Sequence, residues 1–146
     1  MQKTLLTLSL LLALLAGCAD NIPSASFAGV KKTYNQKETC NFCVKSGSAK
    51  DVVCHVRLES AAADGAWREV TGDLQAVDAK DKKNVDRKIT AGSSLCETWI
   101  IGNTIKENKL ALPGIFRLAG YCFKQGEQDN TSKAVRFFSE AFEIKQ

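Results

Sequence analysis

From Val52 to Glu59 the chain alternates: Val52, Cys54, Val56 and Leu58 fall on one side of an extended backbone, and Val53, His55, Arg57 and Glu59 on the other. Successive side chains of a strand point to opposite faces, so this rhythm specifies a strand with one face in a core. It returns from Ile115 to Lys124, where Phe116, Leu118, Gly120 and Cys122 oppose Arg117, Ala119, Tyr121 and Phe123 in the longest strand candidate. Shorter strands are expected at Trp67 to Val70 and Leu74 to Val77, on either side of Thr71-Gly72-Asp73, and at Val85 to Thr90. Another, Leu95 to Ile101, stops at Gly102-Asn103; a short run at Thr104 to Lys106, a Glu107-Asn108 turn and Leu110 to Leu112 then lead to Pro113-Gly114. Lys133 to Lys145 fits a helical face through Ala134, Phe137, Phe138, Ala141 and Phe142 and a strand face through Phe138, Phe142 and Ile144. Because the chain before it reads as β, and Phe and Ile suit pleated surfaces, a terminal strand is expected. With 146 residues, 45% hydrophobic and 25% charged, the chain has the composition of one globular domain. Short strands separated by turn signals, without a strong amphipathic helix, predict an all-β fold, an antiparallel β-sandwich.

The N-terminus follows different rules. Lys3 precedes Leu5 to Ala16, an apolar run broken only by Thr7 and Ser9. Twelve residues are too few to span a bilayer, which needs about 20, but they suit the core of a signal peptide. The run leads into Leu15-Ala16-Gly17-Cys18, which resembles the lipobox of bacterial lipoprotein precursors. That resemblance implies cleavage before Cys18, a diacylglyceryl thioether on its sulfur and acylation, as with palmitate, of the new amino group. Two or more acyl chains hold a protein firmly on a membrane, since each buried CH₂ contributes about 0.8 kcal/mol. In enterobacteria-like hosts an Asp directly after the lipidated Cys resembles an inner-membrane retention signal; here Ala19 stands there and Asp20 follows. By the same resemblance the protein belongs to the outer membrane, facing the periplasm. The expected organisation is a signal peptide at 1–17, a flexible tether at 18–28 rich in small and polar residues, and a single sandwich domain at 29–146.

Five cysteines remain after Cys18: Cys40, Cys43, Cys54, Cys96 and Cys122. An oxidising envelope favours disulfides, and the odd number leaves one thiol free or paired with another chain. Cys40-Asn41-Phe42-Cys43 could serve redox chemistry, zinc or a disulfide framework. Redox use needs the pair to open a helix after a strand, zinc needs a matching second pair, and haem attachment needs His after Cys43; none of these accompanies it. Structural disulfides are therefore expected, with Cys40 closing on Cys43 or one of the two reaching Cys96. The order Cys54, Trp67, Cys122 also resembles the Cys, Trp, Cys pattern of immunoglobulin-like domains. That resemblance implies a Cys54–Cys122 bridge between sheets with Trp67 packed on it. The sequence departs from the family at the tyrosine corner, which would put Tyr at Gly120 rather than at Tyr121.

Chemistry is sparse. The net charge of +4 falls to +3 without Lys3, too mild for a nucleic-acid partner. Lys80, Lys82, Lys83, Arg87 and Lys88 are interleaved with Asp78, Asp81 and Asp86, as on a solvated loop. His55, the only histidine, has no nucleophile motif beside it, and no Gly-rich phosphate loop exists. No catalytic residue, metal site or cofactor is expected. The sequence suggests a lipid-anchored, non-catalytic binding or assembly module with a protein partner in the envelope, such as an accessory subunit of a secretion, pilus or conjugation apparatus. The alternatives are an inhibitor of an envelope-attacking lysozyme or protease, and a thiol–disulfide exchange protein using Cys40 and Cys43.

Overall fold

The structure, a computed structural model, describes residues 22–75 and 85–146. The signal segment, Cys18 and Lys80 to Lys83 lie outside the described residues. Two sheets face each other. The smaller has the order β1 (Ala25–Ala28), β3 (Thr39–Ser46), β7 (Ser94–Ile100), all antiparallel. In the larger, β2 (Thr33–Asn35), β10 (Phe142–Lys145), β8 (Gly114–Lys124), β4 (Val52–Ala61) and β5 (Trp67–Glu69) follow one another. β6 (Arg87–Ile89) also pairs with β4, and β9 (Val135–Phe138) with β8. Only the β10–β2 pairing is parallel. The all-β sandwich read from the alternation is thus the architecture found.

The core lies where the two inner faces meet. Cys40, Phe42 and Val44 of β3 and Trp99 of β7 pack against Val56 and Leu58 of β4, Phe116 and Leu118 of β8, and Phe142 and Ile144 of β10. Burying each such side chain contributes about 1.5–3 kcal/mol. At one edge the Phe137 ring of β9 lies 4.7 Å from that of Phe27 of β1, tilted by 35°, and closes the gap between the sheets. Its ring lies over Gly120, where an added Cβ would come within 2.1 Å of it. Glycine in this strand is therefore the seat of a neighbouring ring.

Several expectations change. Ala25–Ala28 is hydrogen-bonded along β3, so the stretch read as a tether ends before Ala25. The segment after Ile100 is a helix, α1 (Ile101–Asn108), instead of a short run and a turn. It has no side-chain N-cap; the Trp99 indole N–H donates to the Thr104 hydroxyl at 2.6 Å, and Ile101 is fully buried. Tertiary contact, rather than local signal, makes it helical. Leu74 and Gln75 are irregular, and the rest of that expected strand lies outside the described residues. The C-terminal segment is β as expected but forms two strands, β9 and β10, broken at Ser139 to Ala141.

A buried ion pair joins the two sheets. Arg87, on β6 of the larger sheet, is 1% exposed and donates Nε and Nη2 to Glu97 of β7 at 2.9 and 2.6 Å. Its Nη1 and Nη2 also reach the carbonyls of Leu74, Val85 and Gln75. Removing one member of such a pair leaves an uncompensated buried charge. Arg87→Ala is expected to lower the unfolding free energy by about 3–5 kcal/mol in denaturant titration, whereas the joint change Arg87→Met with Glu97→Leu costs far less.

Candidate functional site

The cysteines are distributed by strand alternation. Cys43 and Cys96 are directly opposite across β3 and β7, on the solvent side of the smaller sheet, and form a disulfide. This is one of the pairings left open by the sequence. Cys40, three residues earlier on the same strand, points the other way and is fully buried, so Cys40 and Cys43 do not come together as a redox pair. Burial pushes the Cys40 thiol up, and it is hydrogen-bonded with the Tyr34 hydroxyl. Cys54 and Cys122 are cross-strand partners on β4 and β8, but both are free thiols in the core. The hydrogen bond from Cys54 to Cys122, then burial, holds the Cys54 thiol well above its ordinary range. Trp67 does not pack on this pair. It stands on the outer face of the larger sheet, so the Cys54, Trp67, Cys122 order does not build an immunoglobulin-type bridge and tryptophan. Among the described residues no three His, Cys, Asp or Glu side chains are grouped to hold a metal.

The outer face of the larger sheet concentrates polar and aromatic chemistry. The register of β4 and β8 sets His55 beside Tyr121, Arg57 beside Ala119 and Glu59 beside Arg117; β9 adds Arg136 beside Tyr121 and Phe138 beside Ala119. Planar groups interleave across it. The Arg117 guanidinium sits 4.4 Å from the Trp67 ring centre and 3.8 Å from that of Phe138. Arg136 lies 5.0 Å from Phe138 and 5.1 Å from Tyr121, and Arg57 lies 4.6 Å from Tyr121 on its other side. Each such contact contributes about 0.5–1 kcal/mol at an exposed site.

Glu59 locks the array. Its residue is 4% exposed, and its carboxylate accepts Arg117 Nε at 2.8 Å and Arg136 Nη2 at 2.6 Å. Arg57 donates through Nε to Asp73 and through Nη1 to Glu69 at 2.9 Å; the hydrogen bond to Asp73 first, and then that to Glu69, hold its guanidinium above its ordinary pKa. His55 lies between two carboxylates, 2.7 Å from Asp86 through Nε2 and 3.5 Å from Asp73 through Nδ1. It is 8% exposed. Although the alternation asks for only one buried face, Val53, His55 and Glu59 on the outward side of β4 are buried too, the last two within this network.

Three of the chain's five arginines stand on this face, while none of the outward positions of β4, β5, β8 and β9 carries a lysine. The segregation has a physical reason: guanidinium stacks on aromatic rings and forks onto carboxylates, and ammonium does neither as well. Phe138, within the array, and Ile115, beside it, remain 41% and 44% exposed. Sequence reasoning placed Arg117 and Tyr121 on one face but missed the site, because Trp67, Arg136 and Phe138 join it from strands whose neighbours only the fold assigns. A separate cleft of about 510 Å³ lies between β7, α1 and Thr71 to Gln75. Two of its carboxylates, Glu97 and Asp73, are committed to Arg87 and Arg57.

The array predicts unequal costs. Glu59→Ala removes the shared anion from Arg117 and Arg136 and is expected to destabilise the protein by about 1–3 kcal/mol in chemical denaturation. Arg136→Ala, whose side chain is 47% exposed and whose loss leaves Glu59 with Arg117, is expected to cost less than about 1 kcal/mol.

No protein-family model matches the chain, and no curated protein matches it. Among solved structures, it is similar to the Pseudomonas fluorescens alkylpurine DNA glycosylase AlkC bound to DNA containing an abasic site analog, at 12% identity and a TM-score of 0.45, over 84% of this chain and 29% of that one. It is also similar to Spo0M, a sporulation control protein from Bacillus subtilis, at 9% identity and a TM-score of 0.39, over 86% of this chain and 50% of that one.

Proposed function

We propose that this protein is a lipid-anchored, non-catalytic module of the bacterial cell envelope that binds a protein partner through the outer face of its larger sheet. The anchor is Cys18 of the Leu15-Ala16-Gly17-Cys18 lipobox, which lies outside the described residues, and the module faces the periplasm from the outer membrane. The observation that carries the binding role is the arginine–aromatic face. Interface centres are enriched in Trp, Tyr, Phe and Arg and depleted of Lys, which is the composition of this face and not of the rest of the chain. Buried Glu59 holds the guanidinium groups before a partner arrives, so less side-chain freedom is lost on binding. Phe138 and Ile115 supply exposed apolar anchors, the first within the array and the second beside it. An accessory role in a secretion, pilus or conjugation apparatus fits such a module, since assembly needs placement and contact but no reaction.

The test is cross-linking in intact envelopes followed by purification of the protein. The native chain is expected to bring down a discrete protein partner. The double change Ile115→Ser with Phe138→Ala, which removes two partly exposed apolar side chains of the face, Phe138 being also a ring on which Arg117 and Arg136 pack, is expected to reduce that partner at least about tenfold while the protein stays in the membrane fraction. Equal recovery with the altered face, or no partner with the native one, contradicts the proposal.

A further inference from the structure

The chain enters the fold at one end of the sandwich. Pro23 is buried there, and Ser24 is fastened to the β3–β4 turn by the Gly47 N–H, which donates to its carbonyl, and by the Ser48 hydroxyl, which accepts its N–H at 2.7 Å. Just before Pro23, Ile22 is 65% exposed, the most exposed large apolar side chain among the described residues. The turn Gly47 to Asp51, the Thr90 to Ser93 turn and the end of β8 converge at the same place. Ser46 donates to the Ser93 carbonyl, Asp51 accepts the Ala91 N–H at 2.9 Å, and Val52 lies opposite Lys124. Between them is a cleft of about 640 Å³ lined by Ile22, Pro23, Lys50, Asp51 and Lys124. That is the size of a small-molecule site.

Lys45, Lys50, Lys88 and Lys124 are all exposed at or next to this end. The described lysine ion pairs are Lys31–Glu38, Lys133–Glu127 and Lys145–Glu143, so these four are paired with no acid among the described residues. The acids nearby are partly committed: Asp51 holds Ala91, Glu127 holds Lys133, and Asp129 is exposed. Cys18 stands four residues before Ile22, and four residues span at most about 15 Å.

We propose that this end of the sandwich lies on the membrane, with Lys50 and Lys124 on anionic phospholipid headgroups and Ile22 at the headgroup boundary. The inference rests on the lipid anchor of the proposed function and adds an orientation to it. A leash of at most about 15 Å from lipidated Cys18 keeps this end of the sandwich close to the negative surface, whose potential falls off over about 10 Å. An exposed isoleucine beside them supplies the apolar contact of an interfacial segment. The arginine–aromatic face is then a side wall of the standing sandwich, open to a partner in the periplasm.

The full lipoprotein, reconstituted into vesicles of phosphatidylcholine alone or with phosphatidylglycerol, is treated with an amine-acylating reagent, and each lysine is read by peptide mass. With phosphatidylglycerol present, Lys50 and Lys124 are expected to react about fivefold more slowly, and Lys37, Lys106 and Lys109 at the far end at an unchanged rate. Charge reversal, Lys50→Glu with Lys124→Glu, is expected to remove the lipid dependence at Lys45 and Lys88. Protein that floats with the vesicles but shows equal labelling in both lipids overturns the docking and leaves the anchor standing. Protein that does not float overturns the anchor and the docking together.

Discussion

The pairing of β4 with β8, from Val52 opposite Lys124 to Ser60 opposite Phe116, is the constraint from which the rest of the structure follows. Side chains alternate along both strands, so one register decides two surfaces at once. Inward it sets Cys54 beside Cys122, Val56 beside Gly120 and Leu58 beside Leu118, the middle of the core. Outward it sets His55 beside Tyr121 and Glu59 beside Arg117, the middle of the arginine–aromatic array. A slip of one residue would carry Glu59 and Arg57 into the core and Leu58 and Val56 into water. The core therefore fixes the site: an array whose parts are weak singly is held in place by the burial of apolar side chains on the other side of the same strands.

The smaller sheet completes the sandwich by different means. Its outer side carries the Cys43–Cys96 bridge, and its inner side carries Cys40, Phe42 and Val44. Arg87 and Glu97 join the two sheets through a buried ion pair at one side, and Phe27 with Phe137 joins them through a tilted ring contact at another. Because Arg87 also holds the carbonyls of Leu74 and Gln75, it ties down the chain leaving the Thr71 turn, which includes Asp73, the partner of Arg57. Core ion pair and surface array are thus linked through one short segment.

Much of this was written in local sequence. The alternation at Val52 to Glu59 and Ile115 to Lys124 gave both central strands and their inward faces, and the Thr71-Gly72-Asp73 signal placed a turn after β5. What was illegible depended on distant partners. Ala25–Ala28 looks like tether, since its small residues become a strand only by pairing with β3. Ile101–Asn108 is helical because Thr104 and Ile101 are held against the core beside Trp99. The immunoglobulin-like resemblance implied a Cys54–Cys122 bridge, but both are free thiols; the bridge formed, Cys43–Cys96, is one of the pairings the sequence left open, and its facing positions come from the β3–β7 register. Three members of the arginine–aromatic face, Trp67, Arg136 and Phe138, lie on β5 and β9, far in sequence from the central strands they flank. Spacing carries no trace of such neighbours.

The proposed account joins an anchored N-terminus to a preorganised lateral face, and both depend on Cys18 carrying lipid while the domain keeps the described cysteine pairing. Intact mass and peptide mapping of protein extracted from bacterial membranes, without reduction, tests this most directly. The account predicts a mature chain beginning at Cys18 with three acyl chains on its first residue, and a Cys43 peptide joined to that of Cys96. A chain cut elsewhere with Cys18 unmodified, or Cys43 and Cys96 joined to other partners, would contradict it.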